Sequence, residues 1–518
     1  MDLLGGPLSG NSRLTGVLGP AWTAKPDTPE DTGRQPLAVE TVIGSHAAAL
    51  VPGVITTTPH ARYVALHARL AIEARRRGWT EKHDQDRFRD LVRRAEVVLG
   101  AVSVAHGLDE PDEHRARAGD FGAHGVNTIG KELRETNAAD IGRLADTYSQ
   151  VPGGYLQTYA GIESLVGLTD GRRVPAPGPA ADEGLLSALD EVVALAGREQ
   201  PLSRQQLRKL QHLCLCGIGD APDGECVRRA YFVDRDGDEA VARTHRRSAA
   251  LLVGALNGRE VDVSLDMAMD EWCCFTTGLR DLLGSDELHD HARTWRGALL
   301  RNWSVWAWRL IWAELVSPLA LRPGTREEAI EQFATQLPDA TVKQALVAEL
   351  PAMLDAGTGT LLPAEHELNH HPRNADGWTV PDLLRLLAVG AARLDHLDPA
   401  SRAAFVGTLP DDLGPEYVAK WLHQNADRPL AGAAADLAGH LFQRAESVSR
   451  QKMQWTRAGL RLPTRLRRLG DRWRLEGEEG SGAVSLRLPT FTSFLRQLGV
   501  LAVSADAWTA GRHVEVIR

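Results

Sequence analysis

Lysine is nearly missing from this chain: seven residues (Lys25, Lys82, Lys131, Lys209, Lys343, Lys420 and Lys452) stand against 52 arginines in 518 residues. A high-GC coding sequence favours Arg and Ala over Lys, Ile and Asn, so the abundance of arginine carries no functional signal; only its placement does. Cysteine is also rare, with five in all and Cys273 and Cys274 adjacent, which is too few for a disulfide framework. Long apolar runs are absent. The most apolar stretch, residues 305–321, is interrupted by Arg309, Glu314 and Pro318, so it cannot span a bilayer. The opening MDLLGGPLSG has neither a basic start nor an apolar h-region, which argues against a secretory signal. These absences together predict a cytoplasmic protein with no membrane association. Catalytic signatures are missing too: there is no GxxxxGK[ST] loop, no GxGxxG after a strand and no GxSxG elbow. Asp411, Asp412 and Glu416 before Lys420 lack the spacing of a restriction-nuclease carboxylate–lysine set. An ATPase, a dehydrogenase or a methyltransferase is therefore not expected.

What is present is ordinary globular composition, 43% hydrophobic and 25% charged. The expected fold is mainly α, a multi-lobed helical protein with a small C-terminal α+β module made of a β-hairpin plus a helix. Boundaries are predicted at 1–172, 183–330, 331–440 and 441–518, with the Pro175, Pro177 and Pro179 run as the clearest linker. Thr58 and Pro59 predict the start of a helix that ends at Gly78 behind Arg75, Arg76 and Arg77. A second helix is expected over 85–104. The strongest signal covers 285–316: Ser285 as N-cap, Asp286 and Glu287 at the positive end of the dipole, then an apolar stripe that becomes apolar nearly all round. Five of the chain's 13 tryptophans fall there, at 295, 303, 306, 308 and 312, which reads as a buried core. Further helices are expected over 380–397 and 433–457. Near the C-terminus, 471–476 and 483–488 alternate like strands about a Gly-rich turn, followed by a helix over 490–498 and a strand over 513–517.

Three patterns could carry chemistry. His366-Glu367-Leu368-Asn369-His370 satisfies HExxH: on a helix the two imidazoles share a face and could hold Zn²⁺, with Glu367 as base on the metal-bound water. Pro363 and Pro372 leave that helix only about two turns, and Glu416 is the best third ligand, with Asp382 and Asp395 behind it. His212-x-Cys214-x-Cys216 with Cys226 offers four soft ligands for a structural zinc site, although Cys-x-Cys wraps a metal less readily than Cys-x₂-Cys. The leucines at 210, 213 and 215 favour packing instead. Arg62-x₄-His67 fits the R-x₄-H spacing of helical HEPN ribonucleases, but chance alone produces roughly two such pairs in a chain this rich in arginine. No cofactor is expected on the first reading, and zinc is the alternative.

Charge supplies the main functional expectation. The formal net charge is −9, yet residues 450–474 hold nine positives against Asp471 alone, a segment of +8 on a body of −17. Gln443, Ser447, Arg450, Gln454 and Arg457 form one polar stripe on the expected helix. Arg461, Arg465, Arg467 and Arg468 follow, with Trp455 and Trp473 interleaved. Arginines at this density can neutralise several phosphates, so Arg450, Lys452, Arg457, Arg461, Arg465, Arg467 and Arg468 are the candidate nucleic-acid contacts. The alternative is that this face is paired within the protein.

The run LVPGVITTTPHARYVALHARLA (residues 50–71) resembles the opening segment, approximately LLPG-T-x-T-x-x-ARYY, of a set of uncharacterised, mostly helical bacterial proteins. Residues 444–501 are similar to their closing region. The resemblance brings no catalytic residue. It implies a setting in phage-defence or DNA-processing gene clusters. The resulting expectation is a non-enzymatic nucleic-acid-binding or scaffolding subunit of a bacterial complex with further protein partners. The alternative is a zinc-dependent hydrolase or metallopeptidase centred on residues 366–370.

Overall fold

The computed structural model describes residues 35–518 except 120, 150, 152, 235–238, 277, 349, 351–376, 408–412, 457–458 and 480–483. The chain is mainly α-helical, and its strands pair only as two-stranded ribbons. Three of these ribbons and one helix form the small α+β part near the C-terminus. One contiguous apolar core runs from Leu37 to Ile517, so the segments expected as lobes share it. The Pro-rich stretch expected as a linker is folded back on the preceding turn: Gly178 donates to the Leu168 carbonyl, Ala180 to that of Gly167, and Val174 and Ala180 are buried. Among the described residues no helix is long and apolar enough to cross a membrane.

The helix Asp286–Val316 is the axis of the fold. Ser285 caps it as its spacing predicts, its hydroxyl accepting from the Leu288 amide at 3.3 Å. Trp295, Trp306, Trp308 and Trp312 are almost fully buried along it. The indole N–H groups of two of them are satisfied inside the core, Trp295 by the Ser248 hydroxyl at 3.1 Å and Trp308 by the Leu413 carbonyl at 2.8 Å. Gly297 lets the helix Pro399–Val406 press against the axis: a Cβ there would stand 2.2 Å from the Ser401 carbonyl oxygen and 2.9 Å from the Phe405 amide nitrogen.

The N-terminal half opens with four helices, α1 (Thr41–Leu50), α2 (Ala61–Arg76), α3 (Gln85–Asp109) and α4 (Pro111–Ala118). Thr58 does not cap α2. Its hydroxyl closes the preceding turn against Ile55, and the helix begins three residues later. The buried amide end of α2 is satisfied by a residue more than four hundred positions later, Gln497, which accepts from the Ala61 amide at 2.9 Å and donates to the Pro59 carbonyl at 2.9 Å. Gly78 (φ +67) ends the segment as expected. Helix α3 runs five residues past its predicted end, which places His106 in its last turn.

Near the C-terminus the helix Leu430–Gln451 stops six residues short of its predicted end, and the chain enters a first hairpin, Gln454–Thr456 paired with Gly459–Arg461. The polar stripe expected through Gln454 and Arg457 is therefore broken after Arg450. A second hairpin pairs Leu466–Leu469 with Arg472–Leu475 across Gly470 and Asp471. Its register lies upstream of the expected one because Leu466 and Leu475, directly paired, both reach the core, while Gly470 supplies the φ of +70° that a two-residue turn needs. The expected strand over 483–488 does not form among its described residues. The helix Leu488–Gln497 follows, then a third hairpin (Leu501–Ser504 with Ala507–Ala510), and the predicted terminal strand is a 3₁₀ turn, Val514–Ile517.

Replacing Gly297 by Ala should cost about 1–3 kcal/mol, because the added methyl meets backbone rather than a yielding side chain. Chemical denaturation of the two proteins measures this, and an unchanged midpoint would contradict the close packing.

Candidate functional site

The seven cations expected to contact nucleic acid separate into different environments. Arg450 lies on the surface at 75% exposure, with Glu446 at 3.9 Å. Lys452 is turned back toward the body, its ammonium donating to the Gln35 carbonyl at 3.0 Å. Arg465 is 12% exposed, lies 3.5 Å from Glu479 and also donates to the Glu478 carbonyl. Burial raises the pKa of the Glu479 carboxyl, and Arg465 works against that rise. Arg467 is 17% exposed and pairs with Glu476 at 3.1 Å. Arg468 is exposed and donates to the Gly470 carbonyl at 2.9 Å. Arg461 ends the return strand of the first hairpin, and Arg457 lies outside the described residues.

The second hairpin adds two arginines that the candidate set omitted. Arg472 and Arg474 are both exposed, and Arg474 stands directly opposite Arg467 in the register. Among the described residues, Arg468, Arg472 and Arg474 have no carboxylate partner. Trp473 has an intramolecular role: the Arg326 guanidinium lies over its ring at 4.6 Å, and its backbone exchanges two hydrogen bonds with Gly324. Trp455 on the first hairpin is 65% exposed, the one aromatic among the exposed large apolar side chains of the described residues, with Met453 and Leu469 exposed in the same stretch.

The R-x₄-H pair is buried and committed. Arg62 is 1% exposed, holds Asp223 through Nε at 2.9 Å and Nη2 at 3.1 Å, and donates through Nη1 to the carbonyls of His212 at 2.8 Å and Cys214 at 2.5 Å. His67 is fully buried with both ring nitrogens taken, Nδ1 by Glu163 at 2.6 Å and Nε2 by Glu96 at 2.8 Å. Glu96 also accepts from the Tyr148 hydroxyl and from the Tyr155 amide at 3.0 Å. Burial works against the imidazolium, but Glu163 and Glu96 outweigh it and push the His67 pKa up to about 10. No nitrogen of His67 is left for a substrate, so this pair is architecture and not the nuclease motif its spacing suggests.

The soft-ligand cluster forms, but with different members. His212 is exposed and faces Glu191 at 3.4 Å, and Cys226 donates to the Ala180 carbonyl, so neither joins Cys214 and Cys216. Two histidines take their places. His114 Nδ1 lies 3.2 Å from Cys214 Sγ, and His106 Nδ1 lies 3.3 Å from Cys216 Sγ. The two sulfurs are 3.3 Å apart. The replacement had no local signal, because His106 and His114 lie about a hundred residues before the cysteines and on two helices.

The HExxH segment, His366, Glu367 and His370, lies outside the described residues. Glu416, its expected third ligand, is an exposed residue of the helix Pro415–Asn425 facing Arg402 at 3.5 Å. No family model, curated protein or solved structure matches the chain.

Replacing His67 by Ala leaves Glu96 and Glu163 buried together without their cation and should cost about 3–5 kcal/mol. Because the folded-state pKa lies above the ordinary 6.5, the imidazolium's contribution is complete below that value and is lost as pH climbs through about 10. The stability difference between wild type and His67→Gln, followed by chemical denaturation, should therefore shrink toward alkaline pH. A difference unchanged from neutral pH to about 10 would contradict the charged triad.

Proposed function

We propose that this chain is a non-enzymatic subunit that binds nucleic acid through the first two of its three C-terminal hairpins, Gln454–Arg461 and Leu466–Leu475. The observation that carries this reading is the set of exposed arginines on the second hairpin, Arg472 and Arg474 on one face of the ribbon and Arg468 on the other, without carboxylate partners among the described residues. Like charges on one small ribbon repel one another, and among the described residues no carboxylate relieves these three as Glu479 relieves Arg465. A polyanion would relieve them. Trp455, exposed on the preceding hairpin, offers a face on which an unpaired base can stack.

The contact set differs from the one composition suggests. Arg465 and Arg467 are paired with Glu479 and Glu476, and Lys452 is partly buried and turned back onto the Gln35 carbonyl, so these three belong to the framework. Arg450, Arg468, Arg472 and Arg474 are the phosphate contacts. The helix that follows these hairpins, Leu488–Gln497, is buried over most of its length, which favours backbone and single-strand contacts by the hairpins themselves over groove readout. The resemblance of residues 50–71 and 444–501 to helical proteins of phage-defence and DNA-processing clusters supports the narrower setting, a bacterial defence assembly.

Binding of fluorescein-labelled single-stranded and duplex oligonucleotides, followed by anisotropy from about 50 mM salt upward, tests the reading. Affinity should fall steeply with salt, and Arg468→Ala/Arg472→Ala/Arg474→Ala should lower the salt slope by about three. Trp455→Ala should weaken single strands by about 1–3 kcal/mol and duplex less. No binding at about 50 mM salt, or an unchanged triple variant, would overturn it.

A further inference from the structure

We propose that His106, His114, Cys214 and Cys216 form a structural zinc site that ties the α3–α4 corner to the 214–216 turn. All four ligand atoms lie within 4.8 Å of one another. A tetrahedral Cys₂His₂ zinc has edges of about 3.8 Å between sulfurs and about 3.5 Å between sulfur and nitrogen, given Zn–S near 2.3 Å and Zn–N near 2.0–2.1 Å. The edges here, 3.3 Å between sulfurs and 3.2 and 3.3 Å from sulfur to nitrogen, need to open by only a few tenths of an ångström.

The local backbone explains why these four converge. Glu110 both ends α3 and precedes α4, and Pro111 at the first position of α4 makes the break abrupt. The corner turns the two imidazoles toward each other, 5.3 Å apart and nearly perpendicular. Gly107 leaves room for the second ring, since a Cβ there would lie 3.2 Å from His114 Cδ2. Opposite them, Cys214 is extended (φ −61, ψ 149) and Cys216 lies inside the 3₁₀ turn Leu215–Asp220. That change of conformation overcomes the poor wrapping of a Cys-x-Cys pair, because it brings sulfurs two residues apart to one side.

The surroundings have the character of a metal's outer shell. His106 places its other nitrogen, Nε2, 3.5 Å from the Glu110 carboxylate, the carboxylate–imidazole arrangement that leaves Nδ1 as the ligand atom. Arg62, held by Asp223, grips the His212 and Cys214 carbonyls, and the Ser103 hydroxyl accepts from the Leu215 amide at 3.1 Å, so both sides of Cys214 are fixed. The ligand set is closed. Cys214, Cys216 and His106 are buried, at 0, 4 and 6% exposure, and four protein ligands leave no coordination position for a substrate. Two sulfurs and two imidazoles in a tetrahedron suit zinc better than harder cations or an iron–sulfur cluster. On binding, both thiols lose their protons, so one Zn²⁺ replaces two H⁺ and the net charge of the site is unchanged.

Elemental analysis of the purified full chain should find one zinc per chain. Cobalt(II) reconstituted into the stripped protein should show the visible bands of a tetrahedral ion and near-ultraviolet thiolate charge transfer. Cys216→Ser and His114→Ala should abolish stoichiometric zinc, whereas His212→Ala and Cys226→Ser, outside the cluster, should retain it. Substoichiometric zinc with no tetrahedral cobalt spectrum in the reduced protein would overturn the site, as would retention by the first two variants or loss by the second two. A Cys214–Cys216 disulfide, seen as two missing hydrogens in the intact mass, would overturn it as well. The metal content and cobalt spectrum of the wild-type chain decide the matter even where a ligand variant fails to fold.

Discussion

Helix α2 carries cations into the protein interior, and much of the N-terminal half is arranged around satisfying them. Thirteen of its sixteen residues are buried, including Arg62, His67 and Arg69. A buried charge without a partner costs several kcal/mol, so each has recruited carboxylates or carbonyls from other elements. Arg62 draws in Asp223 and the 212–214 backbone. His67 draws in Glu96 from α3 and Glu163 from the helix Leu156–Leu165. Arg69 bridges Asp190 and Glu73. These pairs cross between helices that would otherwise meet only through interchangeable apolar contacts, and so they set which helix lies beside which.

How much of this was legible in the sequence depends on the range of the interaction. The axis helix was readable to within a residue because its cap, its charged first turn and its tryptophan stripe are all local signals. The start of α2 was not, since the group that satisfies its first amide is Gln497 and no window around Thr58 contains it. The second hairpin was misplaced for a related reason. Alternation over 471–476 is real, but its partner strand is chosen by which leucines can reach the core, and that is a tertiary fact.

The candidate sites divide in the same way. Cys214 and Cys216 were visible as a pair, but spacing alone assigned them the nearest His and Cys, while the geometry brings histidines from a helix corner. Clustering of arginine was visible, whereas its division into paired and unpaired members depends on where Glu476 and Glu479 fall. The R-x₄-H spacing is one that chance produces in an arginine-rich chain, and the burial of Arg62 and His67 agrees with that reading.

The bond between Gln497 and the start of α2 also bears on the order in which the protein can be completed. A ribosome that has made α2 must add more than four hundred further residues before the side chain closing that helix emerges. Until then the amide end of α2 is open, and its buried face lacks the Leu488–Gln497 helix that supplies the closing residue. The N-terminal segment is thus held in waiting until the helix Leu488–Gln497 has been made and can dock against it.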